Sequence, residues 1–260
     1  MKDRFILLGF DLEEFDMPLE YNRPISFEDQ LRYTDEGMSA IMPVLNLHNT
    51  IVTFFTTAQY ALQRKLLIKT LAKTNEIASH TFYHTAFEES HLLQSRLVLE
   101  EISESKVEGL RMPRMRKVSL DAVKHAGYFY DSSVHPTILP GRYNNLDKPR
   151  TLYREEGLIR LPASVSPTFR IPLFWLAFKN FPLAIYKSIA KQTLAKDGYL
   201  CLYYHPWEFT NLIHSGIPKY TRTIDGAAFT EMLEQLIVFL KREGEFVKTV
   251  DFVRANSTRI

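Results

Sequence analysis

The chain has 260 residues, 45% hydrophobic and 24% charged, with 32 Lys+Arg against 30 Asp+Glu and a single cysteine. That balance suits a soluble globule with a sizeable core. It excludes disordered and collagen-like chains, a basic nucleic-acid face and any disulfide or multi-cysteine zinc framework.

In chain order, an apolar run at residues 5–10 predicts a first strand that ends at Asp11. It is too short for a secretory leader. A second strand is expected at 51–55, then a helix over 58–73, then strands at 76–79 and 109–111. Ser119 can cap a short helix that closes at Gly127, and strands follow at 127–130 and 158–163. Residues 171–186 form the longest greasy stretch. Pro172, Lys179, Asn180 and Pro182 break it, and it is too short to span a bilayer. A cytoplasmic location is therefore expected. The aromatics of this stretch suit a barrel-capping helix pair or a subunit interface or, as the sharper alternative, a surface that meets a membrane or a lipid-linked substrate; a homo-oligomer is expected. A strand at 199–204 carries Cys201, read as a buried inert thiol. The clearest helix covers 227–242, where Phe229, Met232, Leu233, Leu236, Ile237 and Leu240 recur at helical spacing, and a last strand is expected at 246–250. Strand–helix alternation, with several strands apolar on both faces, predicts a parallel α/β fold. About seven units favour a distorted (β/α) barrel, one domain over residues 1–260.

Ionisable residues fall at the C-terminal ends of these strands, where a barrel collects its active site. Asp11 and Glu13 share one side of the first strand, with Leu12 turned away, and a cation would relieve their repulsion. His80 and His84, four apart, would face one way on a helical turn, and two imidazoles plus a carboxylate form a recurrent catalytic metal set. Arg111 can hold a carboxylate ionised. His205 closes an apolar strand and suits a general acid, which Asp131 could orient.

In order, these residues resemble the motifs of the polysaccharide deacetylase (NodB-homology) family, part of carbohydrate esterase family 4. The resemblance implies Asp11 as general base, Glu13, His80 and His84 as ligands of one divalent metal, Arg111 of an Arg-x-Pro motif holding Asp11, Asp131 orienting the acid, and His205 as that acid. The metal would be zinc, with cobalt or nickel as alternatives. Leu12 stands where many members have a second Asp, so either Glu13 or Glu14 completes the metal set; Val134 and His135 replace the family's Asp and Trp. The implied reaction is hydrolysis of an acetamide on an amino sugar that is small, nucleotide-linked or lipid-linked, with Tyr21 and Trp207 lining the pocket. Hydrolysis of a cyclic amide or ureide, or a catalytically silent binding protein, are the competing readings.

Overall fold

The computed structural model describes residues 4–260. Its first strand, β1 (Phe5–Leu12), is followed by α1 (Phe27–Leu47), β2 (Thr53–Thr56), α2 (Ala58–Gln63), α3 (Lys65–Leu71), β3 (Glu76–Ser79) and α4 (Ser90–Ser103). Then come β4 (Gly109–Leu110), α5 (Leu120–His125), β5 (Tyr130–Asp131), a small hairpin of β6 (Ile138–Leu139) and β7 (Tyr143–Asn144), β8 (Tyr153–Glu155) and β9 (Leu158–Arg160). The chain ends with α6 (Trp175–Asn180), α7 (Leu183–Asp197), β10 (Tyr199–Tyr204), α8 (Gly226–Leu240), β11 (Glu245–Phe246) and α9 (Thr249–Asn256).

The main sheet runs β10-β1-β2-β3-β4-β5-β9-β8, with β11 also on β1, and only the β8–β9 pair is antiparallel. This is the expected α/β barrel in distorted form. Two buried layers explain why the strands are greasy on both faces. Ile6, Leu8, Phe10 and Leu12 point outward into a core shared with the helices, whereas Leu7, Phe55, Tyr130, Ile159 and Cys201 fill the interior. The sheet curls until its edges are bridged by irregular chain and not by a ladder: the Ser164 N–H donates to the Cys201 carbonyl at 2.9 Å. Among the described residues no helix is long and apolar enough to cross a membrane.

Two expectations shift, and one long helix was unforeseen. The helix at 58–73 breaks at Arg64, whose φ of −132° leaves the helical region while its guanidinium pairs with Asp35 at 2.6 Å. The final strand shrinks to β11. Beyond it, Thr249 and Val250 open α9 because Thr53 Oγ1 and the buried Glu76 carboxylate accept their N–H groups at 3.1 and 2.9 Å. The helix α1 was not legible, since Gly37 and Pro43 interrupt its pattern. It is capped by Ser26, whose hydroxyl accepts from the Asp29 N–H at 3.1 Å.

Gly37 is required for packing. A Cβ there would lie 1.8 Å from the Pro206 carbonyl oxygen, so α1 rests directly on the turn that follows β10. Gly37→Ala is expected to lower the unfolding free energy by about 1–3 kcal/mol and to displace that turn. Urea melts that match the wild type would contradict this close approach.

Candidate active site and metal centre

The odd-numbered residues of β1 face the barrel interior, so Asp11 emerges at its mouth. The register that pairs Phe10 with Tyr204 brings His205 alongside. Arg111, just after β4, passes over Gly9, where a Cβ would meet Nη1 at 3.1 Å, and over the Phe55 ring at 3.9 Å. Its Nη1 donates to Asp11 Oδ1 at 2.6 Å and its Nη2 to Ser132 Oγ at 3.2 Å, all of it buried. One oxygen of Asp11 is thereby fixed, and the other faces His205 Nε2 at 3.9 Å.

Glu13 divides its oxygens. Trp207 Nε1–H donates to Oε1 at 3.2 Å, while Oε2 lies 3.0 Å from Nε2 of both His80 and His84 and accepts no hydrogen bond. One donor atom from each of these three buried residues falls within 4.8 Å of the others. The two histidines do not sit on a helical turn. Thr81 between them takes a left-handed φ of 63°, and the carbonyls of Thr81 and Phe82 accept from Ala58 and Gln59, capping α2. This loop stacks the imidazoles 5.7 Å apart. Asp16, missed in the sequence, takes His84 Nδ1 at 2.7 Å and is itself paired with Arg114 at 3.2 Å. A carboxylate on Nδ1 leaves the Nε2 lone pair free for a metal. Burial pulls His84 down, but the Glu13 charge and the Asp16 hydrogen bond outweigh it and set its pKa at about 10. The same field favours a divalent cation.

Two imidazoles and an unpartnered carboxylate oxygen converging at this spacing fit a zinc-class ion. Glu14 is turned elsewhere: its carboxylate accepts from Thr57 at 3.0 Å, and burial pushes it up to about 7. His80→Ala/His84→Ala is expected to reduce bound divalent metal from about one per chain to background. Elemental analysis after equilibration with zinc would read this, and a variant that still held its metal would remove the site.

His205 lies between the indoles. Trp207 stacks on it at 4.9 Å and Trp175 meets it edge-on at 5.6 Å. Its pKa is raised, because the charge of Glu13 and the hydrogen bond of Glu208 outweigh burial. Asp131, expected to orient it, does not touch it. Asp131 Oδ1 accepts from the Ser133 N–H at 3.0 Å in a local Asp-x-Ser turn, and Oδ2 is ion-paired with Arg160 at 3.1 Å. Glu208 instead takes His205 Nδ1 at 2.9 Å. The spacing of three in His-Pro-Trp-Glu was the sequence signal for it.

A cavity of about 300 Å³ opens over these groups and is lined by Tyr21, Trp175, Trp207 and Tyr220 among others. Two contacts span its rim: Tyr21 OH to Tyr220 OH at 3.2 Å, and Glu20 to Arg142 at 2.5 Å. Within the 171–186 stretch, Phe174, Phe178 and Tyr186 are buried in the core and Trp175 lines the cavity. Phe181 packs partly buried against the same core, so most of these aromatics serve the helix pair α6 and α7 that covers the barrel.

Residues 24–130 match the family model for polysaccharide deacetylase, a segment that holds His80, His84 and Arg111. No curated protein matches the chain. Among solved structures, a protein of Mycobacterium smegmatis assigned as a polysaccharide deacetylase is similar at a TM-score of 0.62 and 18% identity, covering 99% of this chain and 91% of its own. Puue allantoinase is similar at 0.67 and 15%, covering 98% and 90%. A protein of Pseudomonas aeruginosa PAO1, also assigned as a polysaccharide deacetylase, is similar at 0.67 and 15%, covering 97% and 90%. At these identities the structural likeness establishes the fold.

Proposed function

We propose that this chain, a member of the polysaccharide deacetylase family, hydrolyses the acetamide of an acetylated amino sugar, with Asp11 as general base and His205 as general acid. The observation that carries the reading is a single arrangement. Asp11, fixed by Arg111, and His205, fixed by Glu208, face each other at 3.9 Å beside the Glu13–His80–His84 group.

Glu13, His80 and His84 would hold the metal, zinc first with cobalt or nickel as alternatives. When bound, it supplies Lewis acidity that polarises the carbonyl and makes water more acidic. The chain's own groups move the protons. The free oxygen of Asp11 takes one from the attacking water as its oxygen bonds to the carbonyl carbon. Arg111 holds the other oxygen in a charge-assisted hydrogen bond and so points the free one at the cavity. His205 Nε2 gives a proton to the nitrogen as the C–N bond breaks, so acetate and a free amine leave. The indoles of Trp175 and Trp207 keep water away from the His205 ring faces, which strengthens its pairing with the carboxylates.

The bridged rim favours a small, nucleotide-linked or lipid-linked saccharide presented by one end, because the interior of a long polymer needs an exit on both sides. Zinc-equilibrated protein is expected to release acetate from N-acetylated mono- and oligosaccharides and from nucleotide-linked amino sugars. Opening of a cyclic ureide with no acetate from any sugar would replace this reading with the other C–N hydrolysis. No turnover on either panel by metal-loaded protein would favour a silent binding protein.

A further inference from the structure

We infer that Glu208, seated on the buried cation of Lys179, is the positioning residue of His205. The inference rests on the reading of His205 as the acid.

Glu208 is fully buried, and its two oxygens have separate tasks. Oε1 accepts from the His205 backbone N–H at 2.7 Å and meets Nδ1 at 2.9 Å. Oε2 lies 3.3 Å from Lys179 Nζ, and neither of those side chains is reached by solvent. Lys179 comes from α6, the same helix that brings Trp175 against His205. Its ammonium donates to the Ile224 carbonyl at 3.0 Å and sits 4.0 Å over the Phe229 ring.

A local cap of the turn after β10 would explain Oε1 on the backbone N–H and nothing more. It needs no charge, and a neutral Gln or Asn could supply it. A buried ammonium brought from another helix is a different matter. Sequestering such a pair is costly, and apolar replacements of similar size are commonly neutral or stabilising, so stability does not account for it. What the pair does is geometric. Lys179 holds the carboxylate in place at 3.3 Å, and the carboxylate meets Nδ1 at 2.9 Å, which favours the proton on that nitrogen. Nε2 is then the atom that faces Asp11 and Glu13, each at 3.9 Å, where the leaving nitrogen must pass. Asp131 cannot share this task, since Ser133 and Arg160 occupy it. The 171–186 stretch thus joins the active site from behind.

The test compares Glu208→Gln with Lys179→Met/Glu208→Gln, because Lys179→Met alone would strand a buried carboxylate and unfold for that reason. The double variant removes both charges at similar volume and is expected to melt in urea at or above the wild-type midpoint. Its kcat is expected to fall about 100-fold with KM within about twofold. A low-field imidazole Nδ1–H proton signal, assigned to His205 by its loss in His205→Ala, is expected in the wild type and is shifted or lost in Glu208→Gln. A folded double variant with kcat within about threefold of wild type would overturn the inference. So would a His205 signal that Glu208→Gln leaves unmoved. A wild-type signal that responds to Glu208→Gln in a protein that hydrolyses no amide would uphold the positioning and instead overturn the deacetylase reading.

Discussion

Arg111→Met is expected to lower the unfolding free energy by about 3–5 kcal/mol and to remove most of the turnover with it. Arg111 is 1% exposed and is the partner of an Asp11 carboxylate that is 3% exposed. Burial pulls the guanidinium down, but the attraction of Asp11 outweighs it and raises the pKa, so the cation stays charged inside the barrel. Deleting the cation leaves a carboxylate that water cannot reach, beside the apolar faces of Phe55 and Tyr203. Met fills the volume over Gly9 but supplies no donor for Asp11 or Ser132. The energy is therefore lost chiefly from the stranded charge and not from a cavity. Asp11→Asn/Arg111→Met removes both charges and should recover most of the stability while staying inactive, which marks the pair as coupled. Urea melts with unchanged slope would read both effects. A single variant within about 1 kcal/mol of wild type would mean that Arg111 and Asp11 are not a buried pair on which the fold depends.

Much of this site was legible because barrel strands put their chemistry at fixed places. The run ending in Asp11, with Glu13 two residues on, needed only the two-residue period of a strand. The histidine pair was found by its spacing, yet the physical reason was different. The left-handed Thr81 and the cap it places on α2 align the rings, and neither is visible in four-residue periodicity. Glu208 was within local reach of His205, but the family pattern pointed to Asp131, whose oxygens are turned to Ser133 and Arg160. Lys179 was not legible. A lysine within an apolar stretch reads as an interruption until the fold carries it to Glu208. The long α1 was hidden by Gly37 and Pro43, and Gly37 breaks the pattern because the turn bearing His205 lies against it.

Asp11→Asn separates metal binding from proton transfer. The group that could hold a metal is Glu13, His80 and His84, and Asp11 is not in it, so bound zinc is expected to stay at about one per chain. The kcat is expected to fall about 10³-fold with KM little changed, because an amide cannot take a proton from water. The variant also loses stability, since Arg111 keeps its charge and gains only a neutral acceptor, so the assay belongs below its melting transition. In the His80→Ala/His84→Ala variant, by contrast, metal and turnover disappear together. The comparison leaves little room for another base. Glu13 is committed between Trp207 and the two imidazoles. Glu14 has a pKa suited to the work, at about 7, but faces Thr57. If Asp11→Asn kept kcat within about tenfold of wild type, Glu14 would have to swing from Thr57 into the cavity. Glu14→Gln in that background would then abolish what remained.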